Sequence, residues 1–94
     1  MAIGLVVTLP VQEGKGEEFE GVFKALREQV LANEDGCEMY DVYKQDDTTY
    51  VILERYKDQD ALNAHGATDY FKAAQPALGA CLGGAPDMKV LQSV

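Results

Sequence analysis

The stretch CEMYDVYKQDDTTYVILERYK, residues 37–57, carries the strongest fold signal in the chain because it holds two strand-like runs around a polar turn. The runs at 37–45 and 49–57 are rich in aromatic and β-branched residues, and the DDT between them is typical of a turn. The stretch therefore predicts an antiparallel β-hairpin. Strand alternation places Cys37 on the opposite face from Tyr40. Neither face of either strand is purely polar, so we expect helices on one side of the sheet and a partner on the other.

The segments before the hairpin predict a strand and then a long helix. AIGLVVTLP, residues 2–10, is almost continuously apolar and ends at a proline, as expected for a strand covered on both faces. In residues 11–36 the apolar residues recur every three or four positions, which is typical of an amphipathic helix. The stripe consists of Phe19, Val22, Phe23, Leu26 and Val30. Gly36 is the expected C-terminal cap or turn residue of this helix.

The segment after the hairpin predicts a helical region that is broken into pieces. Asp58 is a suitable N-cap for a short helix, which Gly66 interrupts. Thr68 or Asp69 would cap the next helical turns. Pro76 is expected to begin a further short helix at its first position.

The chain closes with APDMKVLQSV, residues 85–94, which is expected to form a fourth strand. The predicted order is therefore β-α-β-β-α-β with a broken second helical segment. This order is typical of the α+β class and of the ferredoxin-like fold, in which both helical segments lie on one face of an antiparallel sheet. Without a repeat or linker, residues 1–94 are expected to form a single domain.

The composition argues against several kinds of partner. Eight Lys and Arg against sixteen Asp and Glu give a net charge of −8, which disfavours nucleic acid and anionic membrane surfaces. No apolar run approaches the roughly 20 residues that a membrane span requires, and the N-terminus does not resemble a signal peptide, so a cytoplasmic location is expected. Cys37 and Cys81 are expected as free thiols, and no zinc-site spacing is present. No metal site is therefore expected.

Four short motifs follow one another between residues 36 and 71. A Gly-Cys pair enters the second strand, and an aliphatic third strand ends in Glu-x-aromatic. An Ala-x-x-x-His helix follows, with an aromatic pair a few residues on. In this chain the motifs are Gly36–Cys37, Glu54–Tyr56, Ala61–His65 and Tyr70–Phe71. In their order and spacing they resemble the antibiotic biosynthesis monooxygenase domain, and the resemblance extends over essentially the whole chain.

The resemblance implies a homodimer paired through the sheet, a dimeric α+β barrel. It also implies oxygenase chemistry without a cofactor, acting on electron-rich phenols or quinols. Haem degradation, another activity of the family, is not expected. Its enzymes resemble this chain near residue 70 but have a tryptophan in place of His65 and a haem-ligating histidine in place of Gln75. They also need an asparagine on the first strand, which AIGLVVTLP lacks.

His65, the only histidine, is the candidate catalytic residue. Oxidation of a phenol or quinol without a metal or flavin requires the substrate anion, and a histidine base has a suitable ordinary pKa. The structural alternative is a ring packed on the sheet with one nitrogen bonded to a backbone carbonyl or to Glu54. Glu54 would orient His65, bind substrate or form a structural ion pair. Tyr40, Tyr56 and Phe71 are candidate substrate-binding residues, or fillers of core and interface.

A second class of function remains open: a non-catalytic dimeric module that binds a small hydrophobic ligand or a protein partner. An open cavity into which His65 and a tyrosine hydroxyl project would favour the enzyme. A filled core around His65 would favour the binding module.

Overall fold

The computed structural model describes all 94 residues, which form one four-stranded antiparallel sheet and three helices. The strand order in the sheet is β2-β3-β1-β4, which confirms the predicted ferredoxin-like fold. The elements are β1 (Ile3–Pro10), α1 (Gly16–Asn33), β2 (Cys37–Asp46), β3 (Thr49–Tyr56), α2 (Gln59–Gly66), α3 (Asp69–Cys81) and β4 (Asp87–Gln92).

The core lies between one face of the sheet and the three helices. Alternate residues of β1 and β3 are buried there, and the predicted stripe of α1 packs against them. The buried part of that stripe consists of Phe19, Phe23, Leu26 and Val30. Each such side chain contributes roughly 1.5–3 kcal/mol through removal from water. The other face of β1 is only partly shielded and carries no helix, so in the single chain the strand is covered on one face.

The predicted break in the second helical segment is present between α2 and α3. The Asp58 carboxylate accepts a hydrogen bond from the Ala61 backbone N–H at 2.8 Å and caps α2. Thr68, not Asp69, caps α3. Pro76 does not begin a separate helix, contrary to the prediction, but lies inside α3. The proline removes one intrahelical hydrogen bond, and the helix persists because its later residues, including the fully buried Cys81, pack on the core.

The prediction that Cys37 lies on the opposite face from Tyr40 is wrong. A register shift after Cys37 leaves one extra residue in β2, so that Cys37 pairs with Tyr56 and Tyr40 pairs with Glu54. A β-bulge of this kind inverts the alternation of side chains. Cys37 and Tyr40 therefore both face the helices.

Gly36 is needed for a close approach and not as a left-handed cap. Helix α1 ends at Asn33 with Glu34 as an extended C-cap residue, and Gly36 has no positive φ. A Cβ atom on Gly36 would lie 2.6 Å from the Cβ of Ala61. The missing side chain therefore lets α2 approach the α1–β2 junction. None of the helices is long and apolar enough to cross a membrane.

Candidate active site

An apolar cleft of about 190 Å³ lies between the sheet and α3. Most of its lining is hydrophobic and comes from β1, α1, α3 and the start of β4. The apolar side chains include Val7, Phe19, Phe23, Ile52, Leu78 and Met88. Met88 is 59% exposed, so the cleft reaches the surface at β4. An apolar cleft with few polar groups is the usual form of a small-molecule site.

Three of the sequence-predicted residues line this cleft directly: Tyr40, Glu54 and Phe71. Tyr56 and His65 lie behind them. The Tyr56 hydroxyl donates a hydrogen bond of 2.6 Å to Oε1 of Glu54. The ring centre of His65 lies 4.6 Å from that of Phe71, 5.2 Å from that of Tyr40 and 5.4 Å from that of Tyr56. The five predicted residues thus form one contiguous cluster.

His65 is more enclosed than an open site would require. Its residue exposure is 3%, and it does not line the cleft. Nδ1 lies 3.1 Å from each carboxylate oxygen of Glu34, whereas Nε2 is buried and has no hydrogen-bond partner. Buried polar atoms without partners are rare in folded proteins. Nε2 is therefore the one fully buried side-chain nitrogen or oxygen that lacks a hydrogen-bond partner.

Glu34 is the main residue that the sequence did not reveal, since Glu54 was the only carboxylate considered as a possible partner of His65. Glu34 follows α1 in the polar stretch NEDG, which has the composition of a solvated loop. Its side chain is only 10% exposed, and it also accepts a hydrogen bond from the Tyr70 hydroxyl. No local pattern indicates this role, because the partners lie 31 and 36 positions away.

A second, larger groove of about 820 Å³ lies outside the cluster, and Glu34 and Tyr70 contribute to its wall. Its lining is mainly polar and includes Asp35, Lys57, Asp58 and Asp60. An aromatic ligand would be bound better by the apolar cleft, where it leaves water and contacts rings. The cleft is therefore the candidate substrate site despite its smaller volume.

Burial sets the protonation of the groups around the cleft. It raises the pKa of the Glu54 carboxyl above its ordinary value, while the Tyr56 hydrogen bond and the charge of His65 oppose that rise. Burial, and next the negative charge of Glu54, raise the pKa of both Tyr40 and Tyr56. The two hydroxyls therefore stay protonated, and that of Tyr56 donates to Glu54.

The Cys37 thiol and the Gln75 amide lie near the cluster, and neither is suited to act as a nucleophile or a base. Burial and the charge of Glu34 raise the pKa of Cys37 to about 11, so its thiol is not a ready nucleophile. Gln75, at the position of the haem-ligating histidine in the resemblance above, lines the cleft, and its amide donates to the Phe71 carbonyl at 3.3 Å. No three His, Cys, Asp or Glu side chains are grouped as metal ligands.

The sheet order and the cleft define a ferredoxin-like α+β domain with an apolar site between sheet and helices. The family model for antibiotic biosynthesis monooxygenase matches residues 2–77. The chain belongs to the antibiotic biosynthesis monooxygenase family.

Solved structures of similar proteins agree with this assignment. A candidate antibiotic biosynthesis monooxygenase from Caulobacter crescentus CB15 is 47% identical with a TM-score of 0.94, over 99% of this chain and 90% of that one. A conserved protein from Methanosarcina mazei Go1 is 31% identical with a TM-score of 0.94, over 100% and 94%. SnoaB, a cofactor-independent oxygenase from Streptomyces nogalater, shares the fold at 22% identity with a TM-score of 0.84, over 98% and 92%. Among curated proteins, no match was found.

Proposed function

We propose that the chain oxidises a small aromatic phenol or quinol with O2, without a metal or a bound organic cofactor. The observation that carries this function is the unpartnered Nε2 of His65, buried in the cluster behind the apolar cleft. Leaving a buried polar atom unsatisfied costs about 1–3 kcal/mol, and a substrate hydroxyl would supply the missing partner. Membership of the monooxygenase family supports oxygen chemistry.

The first step is proton transfer from the substrate to His65. A carboxylate can only accept a hydrogen bond, so with Glu34 in that form the proton of the neutral ring lies on Nδ1 and the lone pair on Nε2. The substrate O–H bond breaks, an N–H bond forms at Nε2, and the imidazolium is paired with Glu34. The substrate anion then gives electrons to O2. One oxygen atom enters the substrate and the other leaves as water, with two hydrogens that the substrate loses.

The remaining residues hold the substrate. Tyr40 and Phe71 would contact its ring, and Glu54, fixed by Tyr56, would accept a hydrogen bond from a second hydroxyl. Phe71 and Tyr40 line the cleft and also pack on the His65 ring, so a substrate in the cleft would reach Nε2 only if one of these rings turned aside. The volume of about 190 Å³ lies below the ~300 Å³ at which typical ligand pockets begin. This size favours substrates of one or two rings.

The working form is a homodimer paired through the helix-free face of the sheet, giving a dimeric α+β barrel. Val6 and Leu53 are paired at the centre of that face. Asp41 and Lys89 flank this pair in the neighbouring strands. The exposed apolar side chains on the same face are Met39, Tyr43 and Leu91. A small chain gains core by covering such a face.

One observation favours the second candidate, a dimeric module that binds a small hydrophobic ligand or a protein partner without catalysis. His65 is packed among three aromatic rings and does not line the cleft. That arrangement is the filled core expected of a binding module, although the cleft itself is present.

Oxygen uptake decides between the two candidates. The purified protein is given a panel of reduced quinones and polyphenols in metal-free buffer, and uptake above the uncatalysed rate is expected with one or more. His65→Ala should abolish it with the circular dichroism spectrum unchanged, whereas Asn63→Ala, an exposed change in the same helix, should not. Ligand binding with no uptake would establish the module instead, and unchanged turnover in His65→Ala would remove the base assignment.

A further inference from the structure

We propose that Glu34 is a positioning residue that holds His65 in a single tautomer, with Nδ1–H toward the carboxylate and the Nε2 lone pair toward the inner cluster. Tyr70 fixes Glu34 in turn. This inference rests on the proposed function insofar as His65 accepts a substrate proton. Neither Glu34 nor Tyr70 lines the cleft, so both residues lie outside the candidate substrate site.

The geometry of the pair is selective for one tautomer. Nδ1 is 3.1 Å from both carboxylate oxygens, and the side chains of His65 and Glu34 are only 4% and 10% exposed. With the proton on Nε2, the Nδ1 lone pair would face the carboxylate, and a buried N–H would have no acceptor. Both effects oppose that tautomer, because a hydrogen bond to a charged group is about twice as strong as a neutral one.

The carboxylate is itself held from the other side. The Tyr70 hydroxyl donates to Oε2 of Glu34. Burial and this contact raise the pKa of Tyr70 to about 12, so the hydroxyl stays a donor at working pH. The other nearby carboxylate, Glu54, is occupied by the Tyr56 hydroxyl and makes no hydrogen bond to His65. Glu34 is therefore the carboxylate that sets the ring.

The approach of α2 to the α1–β2 junction brings the partners within reach. Glu34 lies at the end of α1 and His65 near the end of α2. The two elements meet where Gly36 leaves room for Ala61. The position of the carboxylate thus depends on the backbone packing as well as on Tyr70.

The single histidine makes the tautomer directly measurable. In protein labelled with ¹⁵N-histidine, long-range ¹H–¹⁵N correlation separates the protonated from the unprotonated ring nitrogen. At a pH where the ring is neutral, wild type should show Nδ1–H almost exclusively. Glu34→Gln should lower the ratio of the Nδ1–H tautomer to the Nε2–H tautomer by about tenfold or more, since a neutral partner replaces a charged one. Tyr70→Phe should give a smaller change in the same direction.

Two controls match these variants. Asp35→Asn removes the same charge one residue away without contacting His65, and Tyr50→Phe removes a tyrosine hydroxyl that donates to Glu20 instead of Glu34. Neither should alter the tautomer ratio. An equal ratio in wild type and Glu34→Gln would overturn the inference. If Glu34→Gln does not fold, an unchanged tautomer ratio in Tyr70→Phe would overturn the inference instead.

The tautomer readout is independent of turnover, so the two proposals can fail separately. Absence of oxygen uptake in wild type counts against the proposed function and leaves the tautomer result intact. Where uptake is present, Glu34→Gln should lower kcat about tenfold or more with little change in KM, because the lost interaction acts on proton transfer and not on binding. A change confined to KM would contradict the positioning role.

Discussion

Nδ1 of His65 lies 3.1 Å from both carboxylate oxygens of Glu34, a residue 31 positions earlier in the chain. This contact joins the end of α1 to the end of α2 and leaves Nε2 as the buried ring atom without a partner. A structural role would be complete with both nitrogens bonded. The incomplete bonding is what makes the cluster a candidate for chemistry.

Gly36→Ala is expected to destabilise the fold and to disturb the His65–Glu34 contact. The new Cβ would lie 2.6 Å from that of Ala61, and neither methyl group can rotate away. Overpacking of this kind costs about 1–3 kcal/mol, measurable as a lower urea midpoint. Gly21→Ala in α1 is the matched control, since no atom lies within 4 Å of the added Cβ. It should stabilise by about 0.5–1 kcal/mol, and a similar gain in Gly36→Ala would contradict the packing account.

Glu54→Gln is expected to change how stability depends on pH. Burial raises the folded-state pKa of Glu54, so between its ordinary value near 4.5 and that raised value the folded chain binds more protons than the unfolded chain. The contribution of Glu54 to stability therefore falls as pH rises through this window. The free energy of unfolding of Glu54→Gln minus that of wild type should increase from about pH 4 to about pH 7.

The control for this pH series is Glu28→Gln, which neutralises an exposed carboxylate without a hydrogen bond or ion pair. Its difference from wild type should stay nearly flat over the same range. A flat difference for Glu54→Gln as well would show that burial does not perturb the Glu54 carboxyl.

Leu53→Lys is expected to weaken the proposed dimer. Leu53 pairs with Val6 on the sheet face that carries no helix, so a lysine there would place a charge in the interface. Sedimentation should give roughly twice the chain mass of 10.3 kDa for wild type and the single-chain mass for the variant at low micromolar concentration. Leu31→Lys, on the exposed surface of α1, should remain dimeric. A wild-type monomer across micromolar concentrations would exclude the dimeric barrel.

Gly79→Leu is expected to block the cleft without unfolding the chain. Gly79 lies on α3 and lines the cleft, and a Cβ at this position meets no atom within 4 Å. The larger side chain should fill the cavity and weaken the binding of a phenol probe, 1-naphthol, by about tenfold or more, as followed by its fluorescence. Gly79→Ala should bind the probe nearly as well as wild type. Unchanged binding in Gly79→Leu would place the phenol elsewhere, with the polar outer groove as the next candidate.

The candidate site was predicted in composition but not in arrangement. His65, Tyr40, Glu54, Tyr56 and Phe71 lie together, yet only three of them line the cleft. Their roles in catalysis or binding stay predictions. The partner of His65 was not predictable, because an acidic residue in a polar stretch has the same local signature whether it is solvated or buried against a distant histidine.

The amino-acid pattern alone was sufficient for the strands, the helices and their order, because apolar periodicity and capping residues act over a few positions. Those local forces also predicted Asp58 as a cap and the core stripe of α1. The bulge that turns Cys37 inward, the passage of α3 through Pro76 and the pairing of Glu34 with His65 required the folded chain. Each depends on the free energy of contacts between residues far apart in sequence. Apolar periodicity indicates which face of an element is buried, but it does not indicate which other element packs against that face.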